Sequence, residues 1–258
     1  MTALQHRNVL FDLDGTLTDP REGITRSVQH ALARLDIHEP DITALEHFIG
    51  PPLLQCFMST YQLSEERAWQ AVNHYRERFR VTGLYENQVF DGIDALLGQL
   101  VEQGRTLYIA TSKPTEFARE IARHFGFDRH FKVIYGSELD GTRTDKVELI
   151  AHLLQQESLD PADTLMIGDR KHDLIGAHRN GLQAAGVGYG FGSQAELMAE
   201  SPAWYFATLA ELREAFAASA RSRSCAGSAP SAAARRENAG QSPSTWRNSA
   251  AKAGNHWS

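Results

Sequence analysis

The stretch Val9-Leu10-Phe11-Asp12-Leu13-Asp14-Gly15-Thr16 decides the fold. An apolar run ends abruptly in two carboxylates and a glycine. Without strict alternation, such a run reads as a strand buried on both faces, as in a parallel sheet. Gly15 lets the chain bend tightly just beyond it. Asp12 and Asp14, two apart on one turn, can take different jobs, one as nucleophile and one as proton carrier. The plainer alternative is a turn whose aspartates only cap the next segment.

Outward from this stretch, short apolar runs recur at 107–111, 133–135, 165–167 and 184–189. Amphipathic helical stretches lie between them, at 93–103, 116–125 and 146–156. Pro114 and Asp173 are helix-starting signals. This alternation predicts an α/β fold with a doubly wound parallel sheet and crossover helices. Between Asp19 and Asp91 the alternation stops and only helical spacing is found, as in Ile24/Val28/Leu32/Leu35 and Trp69/Val72/Tyr75/Phe79. The expected organisation is a core of residues 1–18 and 90–220 with an inserted all-helical cap at 19–89. The cap would lie over the carboxyl end of the sheet, where ligands bind in such folds.

The chain has 258 residues, 42% hydrophobic and 22% charged, as in ordinary globular proteins. No apolar run approaches the roughly 18 residues of a membrane span. The first residues do not read as a secretory signal. Cys56 and Cys225 cannot build a disulfide scaffold or a zinc site, so a reduced cytoplasmic setting is expected. The net charge of −6 is uneven: residues 221–258 carry six Lys or Arg against one Glu. That segment has no Leu, Ile, Val or Phe and reads as a disordered basic tail. The acidic remainder argues against nucleic acid as a partner. The sequence leaves the oligomeric state open.

Three further clusters fall at strand ends. Gly168-Asp169-Arg170-Lys171-His172-Asp173 follows the fourth strand-like run of the core and would meet Asp12. Several carboxylates in one crevice repel unless a hard cation joins them, and Mg²⁺ takes oxygen ligands while keeping room for a phosphate oxygen. Thr111-Ser112-Lys113 offers a hydroxyl and backbone N–H groups suited to phosphate, and Lys146 a compact positive charge. Lys113 and Arg143 are candidate substrate-facing cations. Gly50, in the stiff Gly50-Pro51-Pro52 turn, is a candidate for a specificity loop, although a helix-to-helix turn explains it as well. Trp69, Tyr75 and Phe79 read as cap core in preference to a base-stacking platform, and His172 as a surface residue. The glycines of 186–192 lack the dinucleotide-binding pattern, and no GxxxxGK[ST] motif exists.

DLDGT at 12–16, IATSK at 109–113, Lys146 and GDRKHD at 168–173 together resemble the four motifs of the haloacid dehalogenase superfamily. The resemblance covers about 1–218. It includes a helical cap placed as in the branch that holds phosphoglycolate phosphatase and β-phosphoglucomutase. FIGPPL at 48–53, GLYENQVFDGI at 83–93 and GSELDGTRTDKVELI at 136–150 resemble bacterial 5′-nucleotidase-like members. The resemblance implies that Asp12 attacks phosphorus and that Asp14 protonates the leaving alcohol and later deprotonates water. It implies Mg²⁺ held by the Asp12 carboxylate, the Asp14 backbone carbonyl and Asp169, with Asp173 either as a further ligand or as a support to the others. Thr111, Ser112 and Lys146 would neutralise the phosphoryl oxygens. Asp14 argues against a dehalogenase and against an ion pump. The expected activity is a Mg²⁺-dependent phosphomonoesterase on small cytosolic phosphate esters, nucleoside 5′-monophosphates first. Phosphoglycolate phosphatase, a phosphosugar mutase and a non-catalytic phosphate-binding protein are the alternatives.

Overall fold

The computed structural model describes residues 4–226. Among these, six parallel strands form one sheet: β1 (Asn8–Phe11), β4 (Thr106–Pro114), β5 (Phe131–Ser137), β6 (Thr164–Gly168), β7 (Gln183–Val187) and β8 (Trp204–Phe206). Their order across the sheet is β5-β4-β1-β6-β7-β8. The chain therefore builds outward from β1 on one side, then returns and builds outward on the other. This is the doubly wound arrangement, with its switch point at β1. Every residue of β1 is buried, which explains why the run shows no alternation.

The pleat sends alternate residues to two apolar layers. Val9 and Phe11 pack with Leu96, Leu100, Phe117 and Phe216, under α4 (Ile93–Glu102), α5 (Thr115–His124) and α9 (Leu209–Ala226). Leu10 packs the other way with Leu149, Leu153 and Leu174, under α6 (Lys146–Glu157) and α7 (Lys171–Arg179). Phe11 is level with Ile109 on one side and Ile167 on the other. Consequently the residues just after β1 and β6, and those near the end of β4, emerge beside one another.

The inserted unit contains α1 (Arg21–Arg34), a 3₁₀ segment (Ile42–Phe48), α2 (Leu53–Tyr61), α3 (Glu65–Arg78) and a π-helical turn (Phe79–Gly83). Ser64 caps α3 by accepting from the Arg67 N–H at 3.3 Å. Val28, Leu32, Phe48, Phe57 and Val72 form its buried interior. The interval is not wholly helical. Two short strands, β2 (Thr18–Asp19) and β3 (Gln88–Val89), pair antiparallel as a neck where the chain leaves and regains the core. Two-residue strands carry too little periodicity to register in sequence.

The remaining differences are at the edges. β8 is a three-residue edge strand without a sequence expectation. α9 runs on to Ala226, past the boundary at 220 where the basic tail was expected to begin. Its Ala, Arg and Ser residues are compatible with a helix. Residues 227–258 of that expected tail lie outside the described residues. No helix among the described residues is long and apolar enough to cross a membrane.

Candidate active site

The end of β1 is a tight turn. The Asp12 N–H still donates to the Ile167 carbonyl at 2.9 Å, so its backbone remains in the sheet. The Leu13 carbonyl then accepts from the N–H groups of Leu17 and Thr18 at 2.9 and 3.1 Å. Gly15 has φ of +84°, and a Cβ there would lie 2.1 Å from Asp169 Oδ2. Only glycine lets the β1 turn and the end of β6 approach this closely.

Lys146 organises the carboxylates. Asp145 caps α6 by accepting from the Val147 N–H at 2.7 Å, which makes Lys146 its first residue. The Lys146 Nζ then donates to Asp12 Oδ1 at 2.8 Å, to Asp173 Oδ1 at 2.5 Å and to the Ala110 carbonyl at 2.6 Å. An ammonium has three protons, so all are engaged by the protein. Burial opposes the charge on Lys146, yet Asp12 and Asp173 raise its pKa above the ordinary lysine value.

Asp12, Asp169 and Asp173 are all buried, and each offers a carboxylate oxygen within 4.8 Å of the others. Asp169 accepts from Thr16 Oγ1 at 3.3 Å and from the Phe191 N–H at 2.8 Å, and among the described residues no cationic side chain pairs with it. Burial, then Asp12 and Asp173, push its pKa well above the ordinary carboxylate range. Burial also raises Asp173, against the pull of Lys146. One ammonium thus faces three buried carboxylates. The oxygen-only donors and the surplus negative charge fit a hard divalent cation.

Asp14 stands apart from that cluster. Its Oδ2 meets Lys113 Nζ at 2.8 Å, while its buried Oδ1 has no hydrogen-bond partner among the described residues. Burial, opposed by Lys113, raises its pKa above the usual value. Lys113 also lies over the Phe79 ring, 4.4 Å from its centre, so a cap aromatic helps to hold a core cation.

Asp14, Ser112 and Lys113 line a cavity of about 320 Å³ between core and cap. Its other walls include Gly50, Pro51, Leu53, Trp69, Val72, Tyr75, Phe79 and Phe117. Gly50 therefore borders the cavity, at a φ of +100°. Tyr75 and Phe79 are buried cap core, as their spacing predicts, and they also face this space. Trp69 is only half-buried, at the cavity wall. Arg76 and Gln55 line the cavity without any sequence expectation. Arg76 lies 5.8 Å from the Trp69 ring and donates to the Leu139 carbonyl at 2.8 Å.

The other expected residues are placed less simply. Thr111 is buried, and its Oγ1 accepts from the Lys113 N–H at 3.3 Å. The Ser112 hydroxyl donates to the Thr144 carbonyl at 3.1 Å. Arg143 does not line the cavity; its guanidinium pairs with Glu138. The Glu138–Thr142 turn, closed by the Glu138 N–H to the Thr142 carbonyl at 2.8 Å, brings these two together.

With this geometry in view, the comparisons with known proteins are direct. Residues 9–187 match the family of haloacid dehalogenase-like hydrolases. The chain belongs to that family. Over 212 residues it is 73% identical to a 5′-nucleotidase of Pseudomonas aeruginosa, covering 82% of this chain and 96% of that one. It is 40% identical over 209 residues to the tyrosine-protein kinase PtkA of Mycobacterium tuberculosis, covering 80% and 71% of the two chains. A solved structure from Clostridium acetobutylicum, described as a predicted phosphatase, superposes with a TM-score of 0.80 at 44% identity. That match covers 81% of this chain and 97% of the other. This haloacid dehalogenase-like hydrolase is a phosphatase acting on phosphoric monoesters. Its Asp12/Asp169/Asp173 cluster could hold a metal ion.

Proposed function

We propose that the protein is a Mg²⁺-dependent 5′-nucleotidase of the cytosol that works through an aspartyl-phosphate. The observation that carries the substrate is the cavity at Asp14. It is walled largely by aromatic and aliphatic side chains; of the two basic residues lining it, Lys113 is paired with Asp14, and Arg76 donates through Nη1 to the Leu139 carbonyl. Such a space suits a flat, apolar leaving group such as a nucleoside. Phosphoglycolate, with its small leaving group, would leave most of that apolar wall uncovered. The similarity to the Pseudomonas aeruginosa 5′-nucleotidase supports the same reading.

Asp12, Asp169 and Asp173 would hold the ion, with the Asp14 carbonyl completing the protein's share. When bound, Mg²⁺ would offset charge on the phosphoryl oxygens. Lys146 orients the Asp12 carboxylate as nucleophile. An Asp12 oxygen bonds to phosphorus as the bond from phosphorus to the ester oxygen breaks. Asp14, whose pKa burial raises, would give its proton to the departing alkoxide, which leaves as the alcohol. The Asp14 carboxylate then takes a proton from water as that water attacks phosphorus. The bond to Asp12 breaks, releasing phosphate and restoring both carboxyl groups. Thr111 and Ser112 would receive the phosphoryl oxygens, and the cap over the cavity would limit the access of bulk water.

Phosphate release from nucleoside monophosphates, phosphoglycolate and sugar phosphates with Mg²⁺ tests the substrate. Nucleotides are expected to lead, and a lead by phosphoglycolate would overturn the choice. Mapping trapped phosphate tests the chemistry, since label on a residue other than Asp12 would refute it.

A further inference from the structure

Arg170 lies between two of the clustered carboxylates in sequence but touches neither with its side chain. Its backbone N–H donates to Asp173 Oδ2 at 3.1 Å, fixing the loop that carries Asp169 and Asp173. Its guanidinium runs the other way. Nε donates to Oε1 of Glu196, on α8 (Gln194–Ala199), at 3.0 Å, and Nη1 donates to the Ile49 carbonyl of the cap at 2.6 Å. The same Glu196 oxygen accepts from the Lys171 N–H at 3.0 Å, so the carboxylate is fixed from two sides. The Arg170 side chain is 13% exposed, so these bonds are largely shielded from water.

The receiving carbonyl belongs to the residue before Gly50-Pro51-Pro52, the turn that borders the cavity. Gly50 takes a positive φ there, and a Cβ on it would fall 2.9 Å from Arg170 Cγ. The turn is therefore laid directly on the arginine. A planar guanidinium can hold a carboxylate and a carbonyl at once in fixed directions, which an ammonium cannot do as rigidly.

We infer that Arg170 is a positioning residue that latches the 49–53 turn of the cap to the core loop carrying Asp169 and Asp173. The cap's substrate-facing turn is then registered on the loop that holds the reacting centre. Glu196 aims the arginine. The latch touches no reacting atom, so losing it loosens the grip on the leaving group and spares the chemistry of the core.

The full chain with Arg170→Ala, Arg170→Lys and Glu196→Gln tests this. Amide exchange across 49–56 is expected to speed up about tenfold in Arg170→Ala, the scale of one lost charge-assisted hydrogen bond, and less in Glu196→Gln. KM for a nucleoside monophosphate is expected to rise about tenfold while kcat changes less than about threefold. The kcat/KM for p-nitrophenyl phosphate should stay within about threefold, because its leaving group needs little recognition. Arg170→Lys should restore only part of the loss. Unchanged exchange at 49–56 would overturn the latch. So would a fall in kcat shared by both substrates with KM unchanged, which would assign Arg170 to the core loop alone. If Arg170→Ala does not fold, Glu196→Gln carries the same readouts. The kinetic arm rests on the nucleotidase reading, and the exchange arm does not, so their failures are separable.

Discussion

Lys113 holds Asp14 through a 2.8 Å ion pair inside a site where both side chains are almost wholly buried. Burial raises the Asp14 pKa and Lys113 draws it part of the way back. The lysine thus sets the pH at which the leaving-group acid loses its proton. In Lys113→Met only the weaker pull of Lys146 still opposes burial, and the Asp14 pKa rises further. Because protonated Asp14 is the form that donates, the descending limb of the kcat/KM profile is expected to move to higher pH. Measuring that profile against wild type checks it, and a limb that stays in place or moves down would contradict the role given to Asp14.

Asp169 carries a different charge problem, for among the described residues no cationic side chain pairs with it and two carboxylates lie nearby. Its folded pKa lies well above the unfolded value. Between those two values the unfolded chain has lost the proton while the folded one retains it. Stability of the metal-free protein therefore falls as pH rises through that window, and the full penalty is present above it. Asp169→Asn can still accept from the Phe191 N–H but removes the repulsion. At neutral pH and without metal, this variant is expected to melt above wild type. Adding Mg²⁺ at about a hundred times its dissociation constant should stabilise wild type by about 2.7 kcal/mol and the variant far less. Melting curves with and without chelator decide the matter.

A purely structural prediction concerns α9, which closes one face of the sheet. Phe216 is fully buried, and the Arg105 guanidinium lies 4.7 Å from its ring centre. Phe216→Ala leaves a cavity in the layer beneath Phe11 and Leu100 and should cost about 3–5 kcal/mol. Phe216 does not line the cavity, so activity per folded molecule should persist. Denaturant titration gives the first quantity, and specific activity below the transition gives the second.

These residues also show what sequence can and cannot carry. Asp12 and Asp169 are legible because a parallel sheet with level strand ends must gather the residues just beyond its strands, and Lys146 because it opens the helix that follows β5. Arg143 reads in sequence as facing the substrate because a lone cation says nothing about its partner, and the partner, Glu138, is supplied by a turn. Trp69, Tyr75 and Phe79 show a buried face by their spacing, but spacing does not tell a packed face from one that borders a cavity. The bond from Arg170 to the Ile49 carbonyl joins residues 121 apart, and no local signal announces it. β8 is too short to show any period.

Trp69 offers the sharpest test of what the cavity recognises. It stands on α3 of the cap, with Arg76 5.8 Å from its ring and Gly141 of the core loop close to its edge. A ring steadied in this way can present a surface to a flat leaving group without first giving up much rotamer freedom. The core residues grip the phosphoryl group, which every substrate shares, so discrimination rests on contacts of this kind. Stacking of a base on an aromatic ring is worth about 1–3 kcal/mol. Trp69→Ala is therefore expected to lower kcat/KM for nucleoside monophosphates by about tenfold to a hundredfold. The value for p-nitrophenyl phosphate should change by less than about threefold, since its activated leaving group relies little on recognition. Trp69→Phe should retain most of the preference, because a smaller ring still stacks. Equal losses on both substrates would show that Trp69 only packs the cap against the core, and the nucleoside would then have to be recognised elsewhere in the cavity.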